Sequence, residues 1–206
     1  MGRKQPGKGV CMPQKAVIQS LTSEEITESV QMQMILHCAP VLKNVKVSSM
    51  FTIPTGFDRI VCSFLYRTGI RYHCLCRGAK RDLILLYREE KLEEYLNQPQ
   101  VAEFLVACGY GNSSLKASLR YLGERISWYY NRSQEFPHET GLFLGYPLED
   151  VEGFIRFGGK NYRHIGYWKV YGQVEQAKET FRLYDEAKNT AVAEFFSGKT
   201  IREIAC

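Results

Sequence analysis

No run of about 18 apolar residues occurs anywhere in the 206-residue chain, which excludes a bilayer-spanning helix. The opening Met1-Gly2-Arg3-Lys4-Gln5-Pro6-Gly7-Lys8 lacks the apolar core of a secretory leader, so a cytoplasmic protein is expected. Cationic excess is scarce as well. Of the formal +5, a full +4 comes from Arg3, Lys4, Lys8 and Lys15, with no acid among residues 1–20, which leaves +1 on the rest. A basic tail touches phosphate only non-specifically, and nucleic acid is not the expected partner. The aromatics of Tyr129-Tyr130 and of Tyr162 to Tyr171 also lack the interleaved Arg and Lys of a single-strand platform. No glycine-rich phosphate loop is present. Gly145-Tyr146-Pro147 comes nearest, but Pro147 deletes a donor, and Glu149 and Asp150 set negative charge at the helix start, where it repels anions.

Internal repeats and linker-like stretches are absent too, so a single domain is expected over residues 21–206 behind a flexible basic tail of residues 1–20. Cysteine, by contrast, is plentiful at seven. The odd count, irregular spacing and missing leader argue for free thiols rather than a disulfide framework.

Local patterns supply the elements. Thr22 with Glu25 forms a capping box, Ile26, Val30 and Met34 recur at helical spacing, and Pro40 is expected to stop that helix after His37-Cys38-Ala39. Val45 to Ile53 reads as a strand and Phe57 to Tyr66 as a helix. Ile70 to Arg77 alternates, Gly78-Ala79 suggests a two-residue turn with Gly78 at positive φ, and the apolar run after Asp82 suits a strand covered on both faces. Helices follow at Glu89–Asn97 and Pro99–Cys108. A longer one, capped by Ser113 or Ser114, carries the stripe Leu115, Leu119, Leu122, Ile126, Tyr129. Leu142–Tyr146 reads as a strand, Pro147–Phe157 as a helix with Leu148, Val151, Phe154 and Ile155 inward, Arg163–Tyr171 as the last strand, and Gln173–Phe196 as the closing helix, ended by Gly198. The expected architecture is an α/β sandwich: a mixed sheet of about five strands, including one hairpin, with helices packed on it.

The motifs Phe136-Pro137-His138-Glu139 through Gly145-Tyr146-Pro147-Leu148-Glu149-Asp150-Val151, and Gly166-Tyr167-Trp168-Lys169-Val170-Tyr171-Gly172, resemble those of a family of small cytosolic proteins from clostridia-type anaerobes, a domain of unknown function. His37-Cys38-Ala39-Pro40-Val41-Leu42 and Gly198-Lys199-Thr200-Ile201 extend the resemblance over residues 25–204. It implies no particular reaction; its implied setting is anaerobic, iron- or redox-linked metabolism. Two departures stand out. His164 and Tyr167 occur where the family often has a cysteine ahead of Trp-Lys-Val-Tyr, which speaks against a shared thiolate metal site. Gln173 replaces a helix-capping aspartate.

Several groups could carry chemistry. Cys38 beside His37 is a candidate nucleophile, but adjacent helix residues point about 100° apart, so its base would have to come from elsewhere, such as His138. The plainer reading is a core thiol and a histidine on last-turn carbonyls. His138 could act as general base or metal ligand and Glu139 as its orienter or as an acid, or the pair could simply form a turn. Gly145, Tyr146 and Asp150 at the strand-to-helix turn favour a cation or amine over a nucleotide. Cys74 and Cys76 project to one face of a strand, short of the four ligands zinc prefers and more simply core thiols. Trp168 could stack on a flat ligand or plug the core. Lys169, mid-strand, needs a partner such as Glu139 or Asp150, and Tyr171 shares its face.

The leading expectation is therefore a binding or accessory protein responsive to a small molecule or metal ion, whose pocket gathers His37, Cys38, His138, Glu139, Gly145, Tyr146, Asp150, Trp168, Lys169 and Tyr171. No motif specifies a cofactor. One alternative is a thiol-dependent enzyme using Cys38 and His138. Another is an adaptor whose basic tail steers it to an acidic protein partner.

Overall fold

The computed structural model describes residues 22–111, 114–132 and 135–205. The expected tail of residues 1–20 and the Ser113 cap lie outside them.

Helix α1 (Ser23–Leu42) opens on the expected capping box: Thr22 Oγ1 accepts from Glu25 N at 3.2 Å, and Glu25 Oε2 accepts from Thr22 N at 2.6 Å. Ile26, Val30, Met34 and Cys38 form its buried edge. Pro40 does not end it. Proline near a C-terminus keeps a helical φ and forfeits only one N–H bond, so α1 runs on to Leu42. The stop is Asn44, at φ 62, with Asn44 N donating to Val41 O (3.1 Å) and Val45 N to Pro40 O (2.9 Å). This left-handed Schellman closure satisfies the last carbonyls.

Strands β1 (Ser48–Pro54), β2 (Arg71–Arg77) and β3 (Arg81–Tyr87) form an antiparallel sheet in the order β1-β3-β2, with α2 (Asp58–Phe64) between β1 and β2 in sequence. As its apolar run implied, β3 is covered on both faces. Ile84 and Leu86 join the core made with α1, α2, the end of α8 (Val174–Phe196) and α9 (Ile201–Ile204). Leu85 and Tyr87 face the opposite core, built with α3 (Glu89–Leu96), α4 (Pro99–Ala107), α5 (Leu115–Arg132), α6 (Thr140–Phe143) and α7 (Leu148–Arg156). The result is a helix–sheet–helix sandwich. In the β2–β3 hairpin, Gly78 N bonds Arg81 O, so Ala79-Lys80 is the turn, one residue on from the expected pair. Gly78 is not at positive φ; it is small because a Cβ there would lie 2.4 Å from Arg81 O.

The five strands do not share one mixed sheet. β4 (His164–Ile165) and β5 (Lys169–Val170) pair as a separate antiparallel ribbon, because the expected strand at Arg163–Tyr171 folds back on itself at Gly166, whose N–H meets Trp168 O at 3.1 Å. Trp168 and Val170 pack on Ala177, Phe181 and Tyr184 of α8 as a third apolar cluster. Leu142–Tyr146, expected as a strand, is instead α6 and its closure. Gly145 at φ 75 lets Tyr146 N reach Gly141 O (2.9 Å) and Gly145 N reach Leu142 O (2.8 Å). Five residues with two buried positions cannot distinguish a helical turn from a strand by period alone.

Candidate functional site

Between α6, α7 and the β4–β5 ribbon lies a cavity of about 370 Å³, on the side of the sheet opposite Cys38. That volume falls within the range of small-molecule sites. Aromatic and aliphatic side chains dominate its lining: Phe136, Leu144, Tyr146, Phe154, Ile165 and Trp168.

Asp150 fixes the wall. Expected among the ligand-binding residues, it lies buried at the cavity wall, where Oδ2 accepts from Trp168 Nε1 at 2.6 Å and Oδ1 accepts from Tyr171 N (2.6 Å) and Gly172 N (3.0 Å). The face of α7 is rotated accordingly. Val151 and Gly153 are buried and Ile155, expected inward, is exposed, because Gly153 abuts the Tyr171 ring so closely that a Cβ would lie 2.4 Å from it. Glu149 accepts from Gln173 N at 3.2 Å and so supplies from α7 the cap that Gln173 itself does not.

Held by Asp150, Trp168 stacks on Tyr146 (4.9 Å between centroids, 26°) and meets Phe181 edge-on at 4.5 Å. Tyr146 is anchored in turn: its carbonyl accepts from Tyr95 Oη, and Lys46 Nζ lies 5.3 Å from its ring centroid. Burial raises the phenol pKa of Tyr146, and that of Tyr167 to about 12, where the hydrogen bond and charge of Asp185 add to burial. These phenols stay neutral at physiological pH.

His138 lines the cavity between the rings of Phe136 (5.8 Å) and Phe154 (5.0 Å). Its neighbour does not join it. Glu139 is buried against Arg125 Nε (2.8 Å) and accepts from Tyr110 Oη (3.1 Å), a structural ion pair that leaves the imidazole without that carboxylate as orienter. Lys169 also lines the cavity. Its partner is neither Glu139 nor Asp150: Nζ donates to Gly159 O at 2.6 Å and lies over the rings of Tyr162 (5.0 Å) and Phe154 (5.6 Å).

Of the residues singled out from sequence, His138, Tyr146, Asp150, Trp168 and Lys169 thus line one cavity. Gly145 lines a smaller neighbour of about 260 Å³, which shares Asp150 and Trp168 as its wall. Tyr171 reaches the site through its amide on Asp150. Cys38 is fully buried in the other core, where loss of hydration pushes its thiol pKa far up against the weaker pull of Lys46, and His37 is exposed. Neither lines the cavity. Cys74 and Cys76 do not share a face: a β-bulge at Leu75 turns Cys74 toward the α1 core and Cys76 toward the α5 core, with Cys76 Sγ 3.2 Å from Ser127 Oγ. Among the described residues no group of three or more His, Cys, Asp or Glu is placed to hold a metal ion. Sequence reasoning missed Phe136, Phe154 and Ile165 as lining and Lys46 as a buried cation; the density of aromatics from Phe136 to Tyr171 was the available signal for the first three.

A family described as "Protein of unknown function (DUF3793)" matches residues 34–205, and the chain belongs to that family. No curated protein matches the chain, and no solved structure does.

Proposed function

We propose that this member of the DUF3793 family is a binding protein for a small, flat, largely apolar molecule, held in the cavity between α6, α7 and the β4–β5 ribbon. The observation that carries the reading is the locked aromatic wall: an apolar cavity of about 370 Å³ whose Trp168 is fixed by a buried aspartate and by a stacked tyrosine. A wall already ordered in the free protein costs little further entropy when a ligand arrives. Catalysis has less support, since Glu139 is consumed by Arg125 and Tyr110 and Cys38 is enclosed in the opposite core. A small molecule is a better fit than a metal ion, because the donors at the site are dispersed among aromatic rings. The anaerobic, redox-linked setting implied by the family resemblance indicates where such a ligand should be sought.

Thermal-shift screening of planar fragments tests this. A ligand present at about 100 times its Kd adds about 2.7 kcal/mol of stability, which for a domain of this size raises Tm by roughly 5–10 °C. The shift should disappear in Ile165→Glu, a change at an exposed rim position (55% exposed) that leaves the core intact. No shift with any planar fragment, or an equal shift in Ile165→Glu, would contradict the reading.

A further inference from the structure

The charges around the cavity narrow the ligand further. Two formally charged side chains line it, Asp150 and Lys169. Asp150 is committed to the wall: three neutral N–H groups converge on its two oxygens, from the Trp168 indole and the amides of Tyr171 and Gly172, and turn its acceptors away from a ligand without removing its charge. A cationic ligand would have to displace bonds that hold the wall itself.

Lys169 is in the opposite condition. Its ammonium is half-buried, gives one N–H to Gly159 O, and is otherwise flanked by the rings of Tyr162 and Phe154. Among the described residues no carboxylate forms an ion pair with it. A carbonyl and two ring faces stabilise a cation without neutralising it, and a partly desolvated charge gains most from an opposite charge. His138, between Phe136 and Phe154 on the same cavity, offers a second polar contact within an otherwise apolar lining.

We infer that the ligand is a planar aromatic anion, with its ring system among Phe136, Phe154, Tyr167 and Trp168 and its carboxylate, sulfonate or phosphate group on Lys169. The inference rests on the binding reading above and adds the sign of the ligand's charge. Lys169 selects for that charge, and the rings select for shape.

Two dyes with one ring skeleton separate these contributions. 8-Anilinonaphthalene-1-sulfonate carries a sulfonate, and N-phenyl-1-naphthylamine is the same framework without it. Fluorescence titration of the full chain should show the sulfonate bound at least tenfold more tightly than the neutral dye. Lys169→Met should remove that preference, the affinity for the sulfonate falling to that for the neutral dye, and Lys169→Arg should keep the preference. Equal affinity of the wild type for both dyes, or sulfonate binding unchanged in Lys169→Met, overturns the anionic assignment while the cavity reading stands. Binding of neither dye overturns both. Should Lys169→Met fail to fold, the ratio of the two dyes on the wild type decides by itself.

Discussion

Lys46, on the segment joining α1 to β1, offers the most quantitative test of the interior. It is only 8% exposed, and its Nζ lies 5.3 Å and 5.5 Å from the ring centroids of Tyr146 and Tyr184. Among the described residues no carboxylate pairs with it. Burial lowers its pKa from 10.5 to about 8, against a weaker opposing influence of Cys38. The folded state therefore holds this proton less tightly than the unfolded chain, and between about pH 8 and 10.5 the unfolded chain binds more protons. Stability must rise with pH across that window. The full gap corresponds to about 3 kcal/mol. At these long ring distances, cation–π attraction of about 0.5–1 kcal/mol for each of the two rings offsets part of it, so a net penalty of about 1–2 kcal/mol is expected at pH 7. Lys46→Met keeps the unbranched stem and deletes the charge. Urea denaturation should find the variant more stable than wild type by that amount at pH 7, with the difference shrinking toward pH 9.5. Comparing the two proteins cancels the thiols and the tyrosines, whose raised pKa values act in the opposite direction at higher pH. A variant less stable than wild type at pH 7, or a difference independent of pH, would refute the reasoning and show a cation content in its aromatic surroundings.

Asp150→Ala strands the buried indole N–H, at a cost of about 2–3 kcal/mol, and the half-buried amides of Tyr171 and Gly172, at about 1 kcal/mol each because water can reach them; the expected loss is about 4–5 kcal/mol by chemical denaturation, and a loss below 1 kcal/mol would mean that Asp150 is not the fixing point of the wall. Iodoacetamide under native conditions should modify the exposed Cys62 and spare Cys38 until the chain unfolds globally, read by peptide mass spectrometry. Rapid native labelling of Cys38 would restore the thiol-enzyme reading.

Local chemistry was the legible part of the sequence. The Thr22–Glu25 box and the unbroken apolar run of β3 each depend on neighbours in the chain, and both are found where expected. Misreadings arose where tertiary contacts decide. Proline's general bar to helix propagation points to a stop at Pro40, but this close to the C-terminus it forfeits only one bond, and the actual stop requires Asn44 in a left-handed conformation. Leu142–Tyr146 and Arg163–Tyr171 are short apolar segments whose Gly145 and Gly166 turn the chain back, and apolar spacing does not record a reversal. At the site, the aromatic and glycine-rich motifs pointed to His138, Tyr146, Asp150, Trp168 and Lys169, which line a common cavity. The partners of Glu139 and the enclosure of Cys38 depend on α5 and on the sheet as a partition, and a linear pattern shows neither.

The chain has two tryptophans, Trp128 on α5 and Trp168 in the cavity wall, so a 15N–1H spectrum should contain two indole signals. Titration with a planar aromatic carboxylate such as 2-naphthoate is expected to move the Trp168 indole signal saturably while Trp128 stays in place. A Trp168 signal that does not respond to this ligand or to any planar fragment, with shifts elsewhere or none at all, would contradict a binding site between α6, α7 and the ribbon.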